Sequence, residues 1–246
     1  MTDIPRRSLA AGAGLLVGAV ALGTKAQQKK EEAQQIASAN APSLRVQPLT
    51  FNPERIPGLS AKLLTSHHDN NYAGAVNRMN AIEDQLLKLD FANAPPFQLS
   101  GLKREEHIAY NSTFLHELYF ASLGEMPTRP SGVFSDALNR DFGSLERWQA
   151  EFGATAKALG GGSGWVILAY SGRDKRLYNH WSADHSMAPA GSVPLLAIDM
   201  YEHAYAMDYG ANAGAYVDAF LKIVKWPSAE RLYREAMRVS IYVAAC

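Results

Sequence analysis

The chain has 246 residues with 24 basic and 24 acidic side chains, so no net charge points to nucleic acid or an anionic membrane as a partner. Hydrophobic residues make up 47% and charged residues 20%, the balance of a globular protein with a real core, as one domain or two small lobes. The single cysteine, Cys246, excludes an internal disulfide and any cysteine-based zinc or iron–sulfur site, which leaves histidine and carboxylate to hold a metal.

At the N-terminus, Arg6 and Arg7 precede an apolar run from Leu9 to Gly23. About 15 such residues is short for a membrane span and suits the apolar part of an export signal. Thr24-Lys25-Ala26 offers a small-x-small cleavage site. Residues 1–26 are therefore expected to be an export signal, and the mature protein periplasmic or otherwise exported and free of the membrane. The paired arginines suggest the twin-arginine route, although Pro5 and Ser8-Leu9 flank them poorly. An uncleaved anchor is the other reading. Residues 27–50 read as a polar spacer, 51–128 as a helical-hairpin lobe and 129–246 as an α/β lobe.

In the first lobe, Leu59, Leu63, Leu64, Val76, Met79, Leu86 and Leu87 approximate one helical stripe to about Leu89, with Ser60 able to cap its start. Pro95 and Pro96 predict a break over Phe91–Leu99, and a second helix is expected from Lys103 to Leu123. Pro127 and Pro130 mark the boundary between lobes. Ser131–Phe142 and Leu145–Ala158 then read as short helices separated by Gly143. Trp165–Tyr170, Arg176–Trp181 and Val193–Ile198 read as strands, the first two joined by a turn at Ser171-Gly172-Arg173-Asp174. Helix is predicted again from Ala204 and over Tyr216–Trp226, with Pro227 as its stop and Ser228 as the start of the last.

Four residues are candidates for metal chemistry. His67 follows Leu63 by four and lies on the apolar stripe, His116 lies four before Phe120, and Asp199 and His203 stand four apart where the third strand gives way to helix. Buried imidazoles and acids are costly unless paired or bound to metal. Three imidazoles and one carboxylate suit iron or manganese, with zinc not excluded, and leave a coordination position open for catalysis. Spacing alone does not bring the four together. Each histidine read singly is a satisfied core residue, and Asp-x-x-x-His is common in surface ion pairs.

Asp199-Met200-Tyr201-Glu202-His203-Ala204-Tyr205, preceded by Pro194-Leu195-Leu196, resembles the D-x-W-E-H-A-Y signature of the iron/manganese superoxide dismutase family, with Tyr201 in place of Trp. His67-His68 with Ala75-Val76-Asn77-Arg78-Met79-Asn80, His116-Glu117-Leu118-Tyr119-Phe120, and Gly162-Ser163-Gly164-Trp165 resemble further family motifs in the same order. The similarity runs from about Leu59 to Ala236. It implies an α+β fold, a helical hairpin followed by an α/β lobe with a three-stranded antiparallel sheet. It also implies His67, His116, Asp199 and His203 as ligands of one Fe or Mn ion per subunit, and dismutation of superoxide to dioxygen and hydrogen peroxide. In the family, Glu202 bonds the last ligand histidine of the partner subunit, which implies a homodimer.

The sequence departs from the family around those ligands. The Gln or His that supports the metal-bound solvent is sought at Gly161 or Ser112, the gate tyrosine falls at Ala75, and a further histidine falls at Asn71. A tyrosine falls at Ala206 and an arginine near Ala213. Asn70, Asn71, Tyr72, Tyr110 and Asn111 are the nearby polar substitutes, while His68, His107, His180 and His185 read as structural or surface residues. These departures predict a weakened dismutase that Gly161→Gln restores. They also leave open a dismutase-like metal protein with another redox role or no turnover.

Overall fold

The computed structural model describes Gln28, residues 43–188 and residues 190–238. The expected export signal and Cys246 lie outside them. No helix among the described residues is long and apolar enough to cross a membrane.

The first lobe is a helical hairpin. Ser60 accepts a hydrogen bond from the Leu63 N–H at 3.1 Å and caps α1 (Ala61–Ser66). A π-helical turn over His67–Tyr72 follows, then α2 (Ala73–Lys88). The apolar stripe predicts one uninterrupted helix, and the widened turn interrupts it at its most polar stretch, His-His-Asp-Asn-Asn-Tyr. Such turns concentrate at functional sites because they re-aim side chains that a regular helix would space differently. Here His67, His68 and Tyr72 are all buried.

The return helix, α3 (Pro96–Ala121), begins well before the expected Lys103. Pro96 occupies the first turn, where the missing N–H and fixed φ cost nothing, so it opens the helix that it was expected to prevent. Pro227 likewise sits in the first turn of the last helix, α8 (Pro227–Ala236), which starts one residue before the expected Ser228. Part of the expected spacer also has a place. Leu44 exchanges two 2.9 Å hydrogen bonds with Asn80, and the Gln47 N–H donates to the Tyr72 hydroxyl at 2.9 Å.

In the second lobe, α4 (Gly132–Phe142) and α5 (Leu145–Lys157) lead into β1 (Trp165–Ser171), β2 (Arg176–Ser182) and β3 (Ser192–Asp199). The sheet is antiparallel in the order β2-β1-β3. Every residue of β1 is buried, as a central strand covered on both faces requires. Leu168 pairs with Leu196 and Ala169 with Pro194, so β3 bulges at Leu195 where proline cannot serve the regular ladder. A short turn over Glu202–Ala204, α6 (Ala206–Tyr209), α7 (Ala213–Lys222) and α8 complete the lobe. Helix α7 ends before the expected Trp226.

One large core spans both lobes, from Leu63 and Leu64 through Tyr119 and Phe120 to Trp165, Ile198 and Phe220. Asp208 strengthens the junction by accepting from the Ser60 N–H at 2.6 Å and the Ser60 hydroxyl at 2.7 Å.

Candidate metal centre

The β1 register builds the site. Trp165 pairs with Asp199 on one side and with Ser182 on the other. Asp199 therefore sits at the end of β3 beside the indole, and the loop after β2 returns to the same place. Asp199 is fully buried. Its Oδ1 accepts from the Tyr201 N–H at 2.8 Å, which fixes the carboxylate plane and turns Oδ2 inward.

That Oδ2 atom is met by three imidazoles. His67 Nε2 from the π-turn and His203 Nε2 from the short turn after β3 each lie at 3.1 Å, and His116 Nε2 from α3 lies at 3.5 Å. Candidate ligand atoms of all four residues fall within 4.8 Å of one another. His67 and His116 are each 1% exposed, whereas the His203 side chain is 28% exposed and forms the outer wall.

The donor set fits a cation. His116 Nδ1 donates to the Ser112 carbonyl oxygen at 2.6 Å, which leaves Nε2 as a bare lone pair. This Nε2 has no hydrogen-bond partner, yet it faces a carboxylate oxygen. A buried lone pair turned on a carboxylate is unfavourable unless a positive ion lies between them. Neutral imidazoles and a carboxylate suit iron, manganese or zinc in chemical type. Burial pushes His116 down to about 3, with the neighbouring His67 adding to the shift, so its ring is neutral. His67 is lowered too, chiefly by burial. Burial alone would raise Asp199, but hydrogen bonds from His203 and His67 outweigh it and hold the carboxylate ionised.

His185 lies closer to the cluster than its sequence position suggested. Read as structural or surface, it stands beside the cluster, 6.3 Å from the His116 ring and stacked at 4.7 Å on Tyr201, which itself stacks on His203. Trp165 Nε1 donates to His185 Nδ1 at 2.9 Å. Indole nitrogen only donates, so neutral His185 must carry its proton on Nε2. Asn111 secures the loop by donating to the His185 carbonyl at 2.5 Å. Burial lowers the His185 pKa and so favours this neutral form.

The expected substitutes fare differently. Gly161 is exposed, has φ +81°, and a Cβ there would meet nothing within 4 Å, so it is no position from which to support the metal site. Ser112 is buried with Oγ 3.4 Å from His116 Nδ1. Tyr72 faces away, donating to Glu117 Oε1 at 2.9 Å, and Tyr110 is exposed. Asn70 donates to the Ser66 carbonyl at 3.0 Å. Ala206 is exposed and Ala213 is buried. His68 donates to the Gln47 carbonyl at 2.8 Å and His107 to the Ser186 carbonyl at 2.9 Å, both structural. Asn70, Asn71, Ala75, Arg78, Ser112 and His185 line a cavity of about 240 Å³ that adjoins the cluster. Glu202 is exposed beside His203.

A buried set of three imidazoles and one carboxylate between a helical hairpin and a small antiparallel sheet defines a mononuclear metal protein. Residues 130–232 match the C-terminal domain model of iron/manganese superoxide dismutases. An iron superoxide dismutase of Cupriavidus metallidurans is 56% identical over 193 residues, covering 78% of this chain and 98% of that protein. A manganese superoxide dismutase of Halobacterium salinarum is 34% identical, over 77% of this chain and 94% of its own length. An iron superoxide dismutase of Pyrobaculum aerophilum is 31% identical, over 75% and 89%. The chain belongs to the iron/manganese superoxide dismutase family.

Proposed function

We propose that the protein is a superoxide dismutase, with His67, His116, Asp199 and His203 as the ligands of one iron or manganese ion. The observation that carries this is the meeting of three imidazole Nε2 atoms on one buried carboxylate oxygen, in a chain 56% identical to an iron superoxide dismutase. When bound, the ion supplies one-electron exchange with superoxide in both directions. The overall reaction takes two superoxide anions and two protons to dioxygen and hydrogen peroxide.

The chain's own residues do the rest. Asp199 contributes the negative charge that favours the oxidised ion, and its Oδ1 hydrogen bond keeps the carboxylate oriented. The Ser112 carbonyl fixes the His116 tautomer so that Nε2 is free to ligate. Peroxide is released only once protonated, and His185 is the N–H donor beside the cluster, held in its tautomer by Trp165. Burial beneath Trp165, Tyr119 and Phe120 keeps bulk water from the inner side.

The test is suppression of cytochrome c reduction in a superoxide-generating assay, by protein loaded with iron or with manganese, alongside metal analysis. Loaded protein suppresses reduction and apoprotein does not. Tight metal binding without suppression would sink the reading. A dismutase-like protein with another redox role or no turnover is not favoured, because the chain is 56% identical to an iron superoxide dismutase over 98% of that protein.

The homodimer rests on Glu202, exposed next to the partly exposed His203. Its carboxylate is assigned to the partner's His203, and sedimentation of Glu202→Ala against the parent tests this, with unchanged association counting against it. Export to the periplasm rests on Arg6-Arg7 and the Leu9–Gly23 run. Full-length protein confined to the cytosol on cell fractionation would overturn it.

A further inference from the structure

We infer that Arg78 is the anion-steering residue of this enzyme, guarding the cavity through which superoxide reaches the metal centre. The inference rests on the dismutase reading. The cavity of about 240 Å³ reaches Ser112 and His185, both next to the cluster, and so lies beside it. Among its lining residues Arg78 is the permanent charge, and no carboxylate lines it. Small side chains at Gly74, Ala75 and Ala109 leave the passage open where the family resemblance places a gate tyrosine. The resemblance also places an arginine near Ala213, which is buried here and cannot serve an entering anion.

Arg78 pairs with Glu105 of α3, which holds the guanidinium in place across the hairpin. Its side chain remains 56% exposed, as a residue that meets an incoming anion must be. Superoxide is a small monoanion, and a cation in a low-dielectric cleft raises the encounter rate of such a substrate in a salt-dependent way.

Glu105 makes the idea testable, because the two partners have opposite electrostatic effects and the same structural one. Arg78→Gln removes the attraction, whereas Glu105→Gln unmasks it. Dismutation kcat/KM at low ionic strength is expected to fall about 3- to 10-fold in Arg78→Gln and to rise in Glu105→Gln, within the range that steering by a few charges provides. Arg78→Lys keeps most of the rate, and the fall of rate with added salt flattens only in Arg78→Gln. A second readout does not depend on turnover: azide, a monoanion, is titrated optically into the metal-loaded proteins, and its affinity should follow the same order.

Metal content and circular dichroism of each variant establish that the site is intact. If Arg78→Gln and Glu105→Gln change rate and azide affinity in the same direction, the pair is only a tether between helices and the inference fails. It fails equally if neither variant moves either quantity. Absence of dismutation in the parent would count against the proposed function, and the azide order would still decide the role of Arg78.

Discussion

Asp199 Oδ2 is the atom on which the site depends, because three imidazole nitrogens converge on it. Asp199→Asn keeps the shape but removes the charge that neutralises the ion, and His203→Ala removes the outer wall. Each should cost most of the bound metal, read as ions per chain after dialysis, and full stoichiometry in either would contradict the assignment. His185→Ala should behave differently. It leaves the four converging residues in place and removes the N–H donor, so metal content persists while dismutation per bound metal falls about 10–100-fold. Gly161→Gln, which the sequence suggested as a restoring change, should do nothing for the rate, since it lies in an exposed turn. The four converging residues were legible because two lie on the hairpin helices and two lie at or just after the end of a strand, within motifs that resemble a known family. His185 was not, because it belongs to a loop without periodicity. Its partnership with Trp165 comes from the β1–β2 register, which side-chain spacing along the chain does not encode.

The elements position these residues through close backbone contacts, and Gly164 is the tightest of them. It has φ +130°, and a Cβ there would lie 2.1 Å from the Ser182 carbonyl oxygen. Its own carbonyl accepts from the Met200 N–H at 2.9 Å. One glycine thus lets the ends of β2 and β3 close on the start of β1, where Trp165, Asp199 and the His185 loop meet. Gly164→Ala must push β2 away and strain the backbone, at a cost of about 3 kcal/mol or more. A denaturant melt measures this, and a midpoint equal to the parent's would refute it. The strands, the antiparallel hairpin and the Ser60 cap could all be read from alternation, turn residues and capping chemistry. One helix start could not, because Pro96 reads as a break although it fits the first turn, whereas the last helix starts at Pro227, one residue before the expected Ser228. The π-turn at His67–Tyr72 was hidden for another reason. One widened turn shifts the helical phase only slightly, and the Leu63 and Val76 stripe still reads as continuous.

The whole molecule couples folding, metal and pH, because the cluster joins two lobes. His67 and His116 come from the hairpin, while Asp199 and His203 come from the sheet lobe. Chelation therefore removes a bridge between lobes, and the melting temperature of the apoprotein should fall below that of the loaded protein. Without metal, the same residues make stability depend on pH, and the sign follows from where each group titrates. His116 is pushed down to about 3 in the fold, and His67 is lowered likewise, against about 6.5 in an unfolded chain. Their contribution is complete above about 6.5. As the pH falls below that value, the unfolded chain takes up protons that the buried rings refuse, and stability declines by up to about 1.4 kcal/mol per pH unit for each histidine. Asp199 is held below its ordinary range, so its contribution is present above about 3.9 and is lost only as the pH falls further. Urea melts of the apoprotein should thus give a midpoint that is steady between about pH 7 and 8 and drops steadily from about pH 6.5 to 5. Loaded protein should resist the first part of that drop and then lose its ion, since protons and metal compete for the same imidazole lone pairs. An apoprotein equally stable at pH 5 and pH 7.5 would show that the histidines are not the buried, neutral groups on which the site rests.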